Sequence, residues 1–223
     1  MVEGQTEEAF VRQILKPHLE QYHVWPSARC IMTGRKRGVA SKGGIGSYAR
    51  AKRDITMWMK EDRNADARFT TMFDLYRLPT DFPGYEPARD LSDPFERVEH
   101  LQDALRDDLE DVRFIPYIQL HEFEALLLAD PRKLQARFSE NGAGIQELVE
   151  LVSTYDSPEL IDDGFDTAPS KRIADLIPEY AGAKVSAGPI VARNVGLHVI
   201  RSKCRHFGRW LGTLEGLAAH GTP

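Results

Sequence analysis

A chain of 223 residues, 42% hydrophobic and 28% charged, can bury a sizeable core and has the balance of a folded, water-soluble protein, which excludes the disordered class. Its net charge of −5 excludes a protein that coats nucleic acid through a global positive field and leaves local basic patches to hold phosphate. No apolar run approaches the ~20 residues of a spanning helix, and the first residues are acidic where a secretory signal is basic, so a cytoplasmic address with no membrane association is expected.

In chain order, Val2 closes a very short strand, Gly4 permits a turn, and Thr6 is placed to cap a helix carrying Glu7 and Glu8 in its first turn. Phe10, Val11, Ile14 and Leu15 form its apolar stripe, and Pro17 is expected to kink or end it. Ala28 to Thr33 reads as a strand, followed by a basic, glycine-rich loop from Gly34 to Gly46. A helix is predicted from Ser47 to Arg63, with Tyr48, Ala51, Ile55 and Met59 on one face. Phe69 to Phe73 then reads as a strand with Asp74 at its tip, and Leu78 to Gly84 as a loop. A capped helix is expected from Asp93-Pro94, with Val98, Leu101, Leu105 and Leu109 facing inward. Val112 to Leu120 reads as another strand, with Pro116 hinting at an edge or bulge. Beyond Leu128 the pattern is mostly helical, with starts predicted at Asp130-Pro131, Ala168-Pro169 and Gly188-Pro189.

Strands alternating with helices favour a largely parallel sheet whose ligand site lies at the carboxyl ends of the strands. Glu3 and Asp74 both fall at such ends. Glu7, and Glu122 and Glu124 within Gln119-Leu120-His121-Glu122-Phe123-Glu124, offer further oxygen donors. Clustered carboxylates repel one another, so a divalent ion is the natural compensation, and oxygen-only ligands suit magnesium or manganese. Each acid also has an ordinary role open to it, as a helix-end charge, a cap or a solvated side chain. His121 is read as a hydrogen-bonding residue beside the acids, and Cys30 and Cys204 as reduced structural thiols, since no CxxC or Cys/His ligand spacing is present. Arg35, Lys36 and Arg37 in the loop, with Arg50, Lys52 and Arg53 on the following helix, are the candidate phosphate contacts. Gly43-Gly44-Ile45-Gly46 lacks the lysine of a phosphate loop, so nucleotide hydrolysis is not expected.

The strand-end stretch VEGQTE (Val2 to Glu7) followed by MFDLY (Met72 to Tyr76) resembles the TOPRIM domain of topoisomerases, bacterial primases and overcoming-lysogenization-defect (OLD) nucleases. The ordered set GGIGSYARAKRDI, FDLYRLPTDFPG, QLHEFEALLLADP, APSKRI and CRHFGRWL resembles, over nearly the whole chain, a bacterial family of TOPRIM-like proteins often associated with ATPases in genome defence. The resemblance implies an α/β fold with a TOPRIM-like Rossmannoid core over residues 1–128, its mostly parallel sheet flanked by helices, and a helical extension over 129–223. It implies Mg²⁺- or Mn²⁺-dependent cleavage of DNA or RNA, with Glu3, Glu7, Asp74 and Glu122 as metal ligands. Glu3 would serve as ligand or general base, and Lys171 within APSKRI would assist the phosphate transition state. His121, Glu124 and the basic residues would support ligands or substrate, and an AAA- or ABC-type ATPase would be the partner. The usual Asp-x-Asp of the second motif reads Asp74-Leu75-Tyr76 here, so its second carboxylate is missing, and the expectation is either that Glu122, Glu124 or Asp81 replaces it or that the metal binds weakly. A non-catalytic TOPRIM-like module that binds nucleic acid or an ATPase is the alternative, and a phosphotransferase using the same acids is a third reading.

Overall fold

The computed structural model describes residues 1–31, 45–161 and 167–220. Arg35, Lys36 and Arg37, with Met32, Thr33 and most of the glycine-rich loop, lie outside the described residues. The helices in chain order are α1 (Gln5–Phe10), α2 (Lys16–Leu19), α3 (Tyr48–Glu61), α4 (Tyr85–Arg89), α5 (Pro94–Leu109) and α6 (Glu124–Leu127). They continue with α7 (Gly142–Ser153), α8 (Pro169–Leu176), α9 (Tyr180–Val195), α10 (Leu197–Lys203) and α11 (Arg205–Glu215). The strands are β1 (Phe69–Thr70), β2 (Phe73–Asp74), β3 (Phe114–Ile115) and β4 (Ile118–Gln119), so the fold is mixed α/β. The chain divides into two compact units: Met1–Gly4 with Ala28–Gln119, and Gln5–Ser27 with Leu120–Pro223.

In the first unit β1 pairs in parallel with β3, and β2 with β4, in one continuous register: Phe69 opposite Phe114, and Phe73 opposite Ile118. The interruption between the two ladders has a local cause. Pro116 has no N–H to give the ladder, and at this level the Thr71 side chain takes over, its Oγ1 donating to the Tyr117 carbonyl (2.9 Å) and accepting from the Tyr117 N–H (3.0 Å). The expected break at Pro116 is therefore a gap bridged by one hydroxyl. Val2 adds a further parallel element, bridging Cys30 on one side and Met72 on the other.

The helix faces of this unit follow the predicted spacings. Tyr48, Ala51, Ile55 and Met59 of α3 are buried, as are Val98, Leu101 and Leu105 of α5, while Leu109 is half-buried. Asp93 caps α5 by accepting from the Phe95 N–H at 2.8 Å, with Pro94 in the first turn. The cap of α3 comes from elsewhere in sequence: Asp81 accepts from the N–H groups of Tyr48 (2.9 Å) and Ala49 (3.3 Å) and from the Ser47 hydroxyl (3.1 Å). At the other end of α3, Arg113 donates to the carbonyls of Met59 (3.1 Å) and Asp62 (2.7 Å) while paired with Asp111. Gly84, at φ +74°, lies so close to α5 that an added Cβ would stand 2.8 Å from that of Ala104.

In the second unit Pro17 does not end its helix. A π-helical turn, Val11–Leu15, directly precedes α2, and the helix runs on through a 3₁₀ turn to Tyr22. The wide turn loosens the backbone where the proline ring would press on the preceding coil. Nor does Thr6 cap α1: the helix begins at Gln5, and Thr6 is buried in its first turn. A Cβ on Gly188 would meet the Thr6 methyl at 2.8 Å, so glycine is what lets α9 approach α1 this closely. The predicted helix start at Gly188-Pro189 is likewise corrected, because α9 runs straight through Pro189. Proline leaves the carbonyl four residues back, that of Val185, without its helical donor, and Val185 is an exposed position of the helix. The start at Pro169 is observed as predicted, while Pro131 opens a 3₁₀ segment.

Asp81→Ala should lower stability by about 1 kcal/mol, the usual worth of an N-terminal cap, as measured by urea unfolding. Hydrogen bonds from Tyr48, above all, and Ala49 hold the Asp81 carboxyl below its ordinary 3.8. A depressed pKa adds stability above the unfolded value that is lost as pH falls through the folded one. The gap between wild type and variant should therefore close as the solution is acidified below about pH 4.

Candidate functional site

Val2 fixes the first site. Its N–H bonds the Arg29 carbonyl and its carbonyl the Ile31 N–H, both at 3.0 Å, while the Met1 carbonyl takes the Met72 N–H at 2.8 Å. Because these pairings are parallel, residues just past Val2 and Met72 emerge at the same end of neighbouring strands. Glu3 and Asp74 are brought together there, and the Asp74 N–H donates to Glu3 Oε1 at 2.8 Å. Both residues are half-buried. Tyr76, where the motif's second aspartate is expected, sits in a 3₁₀ turn (Leu75–Arg77) with the Arg77 guanidinium 5.3 Å from its ring centre. Asp81, one of its expected replacements, is engaged as the cap of α3. Arg50 and Arg53 project from exposed positions on α3, and Lys52 pairs with Asp108 at 2.9 Å.

The second unit gathers a different set. His121 is buried in a left-handed backbone conformation, φ +58°, at the turn that leads into α6. Glu122 Oε2 accepts from the Ser170 N–H at 2.9 Å, so this acid of the HEFE stretch caps α8 within the APSKRI stretch. Glu124 is 0% exposed, and its Oε1 accepts from the Tyr180 hydroxyl (2.8 Å) and from Lys184 Nζ (2.9 Å). Its Oε2 is buried with no hydrogen-bond partner among the described residues. Burial pushes the Glu124 carboxyl up, against the pull of Lys184, and the Glu122 charge pushes in the same direction as burial. The Tyr180 phenol is raised well above its ordinary range by burial and by the charges of Glu124, Glu122 and Glu7. Glu7 is buried in α1, whereas Lys171 is exposed on α8.

Tyr180 and Lys184 escaped the sequence reading although their i, i+4 spacing sets them on one face of α9. Nothing local connects them to Glu124, which lies some fifty residues upstream and is reached only through the tertiary fold. Glu159 was missed for the same reason. It is fully buried, its oxygens accept from the N–H groups of His206 and Phe207 at 2.9 Å each, and it thereby caps α11. Neither Cys30 nor Cys204 is in a disulfide, and burial pushes the Cys204 thiol well above its usual range, consistent with a packing role.

Among the described residues no group of three or more His, Cys, Asp or Glu side chains is placed to hold a metal ion. Glu3 and Asp74 are a pair of hard oxygen donors, and magnesium is commonly held through one or two carboxylates with water and substrate phosphate completing the shell. The pair therefore fits such a cation. No helix of the described residues is long and apolar enough to cross a membrane.

A family model described as Domain of unknown function (DUF4276) matches residues 2–215. The chain belongs to the DUF4276 family. No curated protein and no solved structure matches it. The matched span reaches into both compact units of the DUF4276 chain and includes both the Glu3–Asp74 pair and the Glu124 group.

Removing the Lys184 ammonium leaves Glu124 as a buried charge with fewer partners. Lys184→Met should destabilise the DUF4276 protein by about 2 kcal/mol at about pH 8, less than a fully buried pair would cost because the lysine is 37% exposed. A carboxyl whose folded pKa is raised contributes stability below its unfolded value that is lost as pH rises through the folded one. The deficit should therefore shrink toward about pH 4.5, and the additional change Glu124→Gln should recover part of it, as read by chemical denaturation.

Proposed function

We propose that the DUF4276 protein is a Mg²⁺- or Mn²⁺-dependent nuclease of TOPRIM type that cleaves phosphodiester bonds in DNA or RNA. The observation that carries this reading is the hydrogen bond from the Asp74 N–H to Glu3 Oε1, which fixes two acidic residues at adjoining parallel strand ends. Ligand sites of parallel α/β sheets lie at that end.

Glu3 has one oxygen tied to the backbone of the next strand, so its carboxylate is preorganised. Asp74 is the second acid at these strand ends and a further hard oxygen donor for a divalent cation. A divalent cation held there supplies polarisation of a phosphoryl oxygen and a lowered pKa for water in the site. With that help Glu3 is the chain's candidate to accept a proton from the attacking water, as the resemblance implies. Arg50 and Arg53, exposed on α3 of the same unit, supply contacts to phosphates flanking the scissile bond. Association with an AAA- or ABC-type ATPase in genome defence belongs to the same proposal and rests on the resemblance alone.

A second reading, a TOPRIM-like module that binds nucleic acid or an ATPase without cleaving, is favoured by Tyr76 in place of the second aspartate and by the lack of a three-carboxylate group among the described residues. Both readings are open to one experiment.

Glu3→Gln keeps an amide oxygen to accept the Asp74 N–H, and Asp74→Asn keeps that N–H, so both variants should fold with unchanged circular dichroism. Each should reduce Mg²⁺-dependent cleavage by at least about 100-fold and weaken Mn²⁺ binding by calorimetry. Cleavage that persists in both variants overturns this site. Wild type that binds nucleic acid but neither cleaves it nor takes up Mn²⁺ establishes the binding module instead.

A further inference from the structure

Between the C-terminal ends of α3 and α5 the first unit has a cleft of about 510 Å³, a size that small-molecule sites commonly have. Arg113 lines it and joins its walls. The guanidinium pairs with Asp111 through Nε (3.1 Å) and a terminal nitrogen (2.8 Å), donates to the Met59 and Asp62 carbonyls, and lies 4.9 Å from the centre of the Phe69 ring. These bonds cover carbonyls at the end of α3 with a cation, so the negative pole of that helix does not face the cleft bare. They also fix the walls in advance of any ligand.

The remaining lining groups are not used in this way. Lys60 and Arg63, exposed at the end of α3 and just beyond it, both line the cleft, and neither forms an ion pair with a described residue. Other cations of this unit do: Arg29 pairs with Glu61 at 2.6 Å and Lys52 with Asp108 at 2.9 Å. Thr56, one helical turn before Lys60, adds a hydroxyl, while buried Met59 and half-buried Leu109 add apolar surface. Glu110 lines the cleft from the end of α5, in the left-handed conformation at φ +51° where glycine is the usual helix stop. A charged side chain kept in that conformation points to a use for the carboxylate. The second cleft of the unit, beside α4, has no such set, because its arginine, Arg89, is paired with Glu86 at 3.2 Å.

The chemistry of these groups selects the ligand. An ammonium, a guanidinium and a hydroxyl are the donors that hold a phosphate, and two cations match its double charge. A thioether beside a leucine suits the flat face of an aromatic ring. An ionised carboxylate only accepts, so whatever meets Glu110 must donate.

We infer that this cleft binds a nucleoside monophosphate whose base carries an amino group, with the phosphate on Lys60, Arg63 and Thr56, the base over Met59 and Leu109, and the amino group on Glu110. Nothing in the cleft calls on the Glu3–Asp74 pair, so nucleotide binding here stands whether or not that pair cuts nucleic acid.

The test is calorimetric titration of the full chain with adenosine 5′-monophosphate, in EDTA so that no divalent ion takes part. Wild type should bind saturably with Kd below about 1 mM. Lys60→Ala/Arg63→Ala should raise that Kd at least about tenfold. Arg89→Ala/Arg106→Ala, which removes the same charge from surface pairs elsewhere in the unit, should leave it unchanged. Purine riboside 5′-monophosphate, which lacks the amino group, should bind wild type at least about threefold more weakly. Glu110→Gly should erase that difference while leaving Tm equal or higher, since it relieves the backbone. Wild type that does not bind adenosine monophosphate, that binds adenosine equally well, or that loses the same affinity in both double variants overturns the site. Equal wild-type affinity for the two nucleotides overturns the role given to Glu110.

Discussion

Everything at the first site follows from the backbone of Val2. A residue with a strand on each side has its N–H and carbonyl committed to one neighbour, and the adjoining Met1 carbonyl is committed to the other. The side chain itself is buried. These bonds leave little freedom in where the next residue begins, and the parallel sense of both pairings sends it to the same edge as Asp74. A slip of one residue would turn Glu3 to the opposite face of the sheet. The hydrogen bond between the Asp74 N–H and Glu3 is thus a consequence of register, and Thr71 helps to preserve that register where Pro116 would otherwise break it.

A second regularity concerns what the other acids do. Asp81 caps α3, Glu122 caps α8 and Glu159 caps α11, each reaching across a long stretch of chain to N–H groups that the helix itself cannot bond. The physics favours this pairing from both directions. A carboxylate removed from water needs strong donors, and a helix N-terminus offers donors together with a favourable dipole. For Glu159, burial still outweighs those donors and leaves its carboxyl above the usual range. Glu124 lies apart from the scheme, because its partners are a phenol and an ammonium and one of its oxygens has none among the described residues. Of the acids singled out in the sequence, Asp81 and Glu122 hold helices in place, Glu124 is buried against Tyr180 and Lys184, and Glu3 and Asp74 stand at strand ends.

The legible and illegible parts of the sequence divide along the same physical line. The faces of α3 and α5 were readable because apolar spacing reports burial directly, and the start at Pro169 because proline at a first turn acts locally. The strand end at Asp74 was readable from a β-rich run that stops at an acid. What misled was also local. Pro17 read as a kink or an end and Gly188-Pro189 as a start, yet a π-helical turn precedes the first and α9 runs through the second, and neither leaves a mark in the sequence. Thr6 had the chemistry of a cap, but its place was fixed by the glycine of α9 that packs on it. The caps by Asp81, Glu122 and Glu159, and the contact of Glu124 with Tyr180 and Lys184, join residues far apart in the chain, so no spacing rule reaches them.

The net charge of −5 then bears on how such a protein would handle a polyanion. Phosphate contacts gain affinity largely by releasing counterions, and that gain depends on a surplus of cations at the contact. On α3 the surplus is reduced, because Lys52 is neutralised by Asp108 and Arg53 lies 3.9 Å from Asp54. Base stacking has no such requirement: it depends on apolar contact and polarisable faces, which an acidic chain can present as well as a basic one.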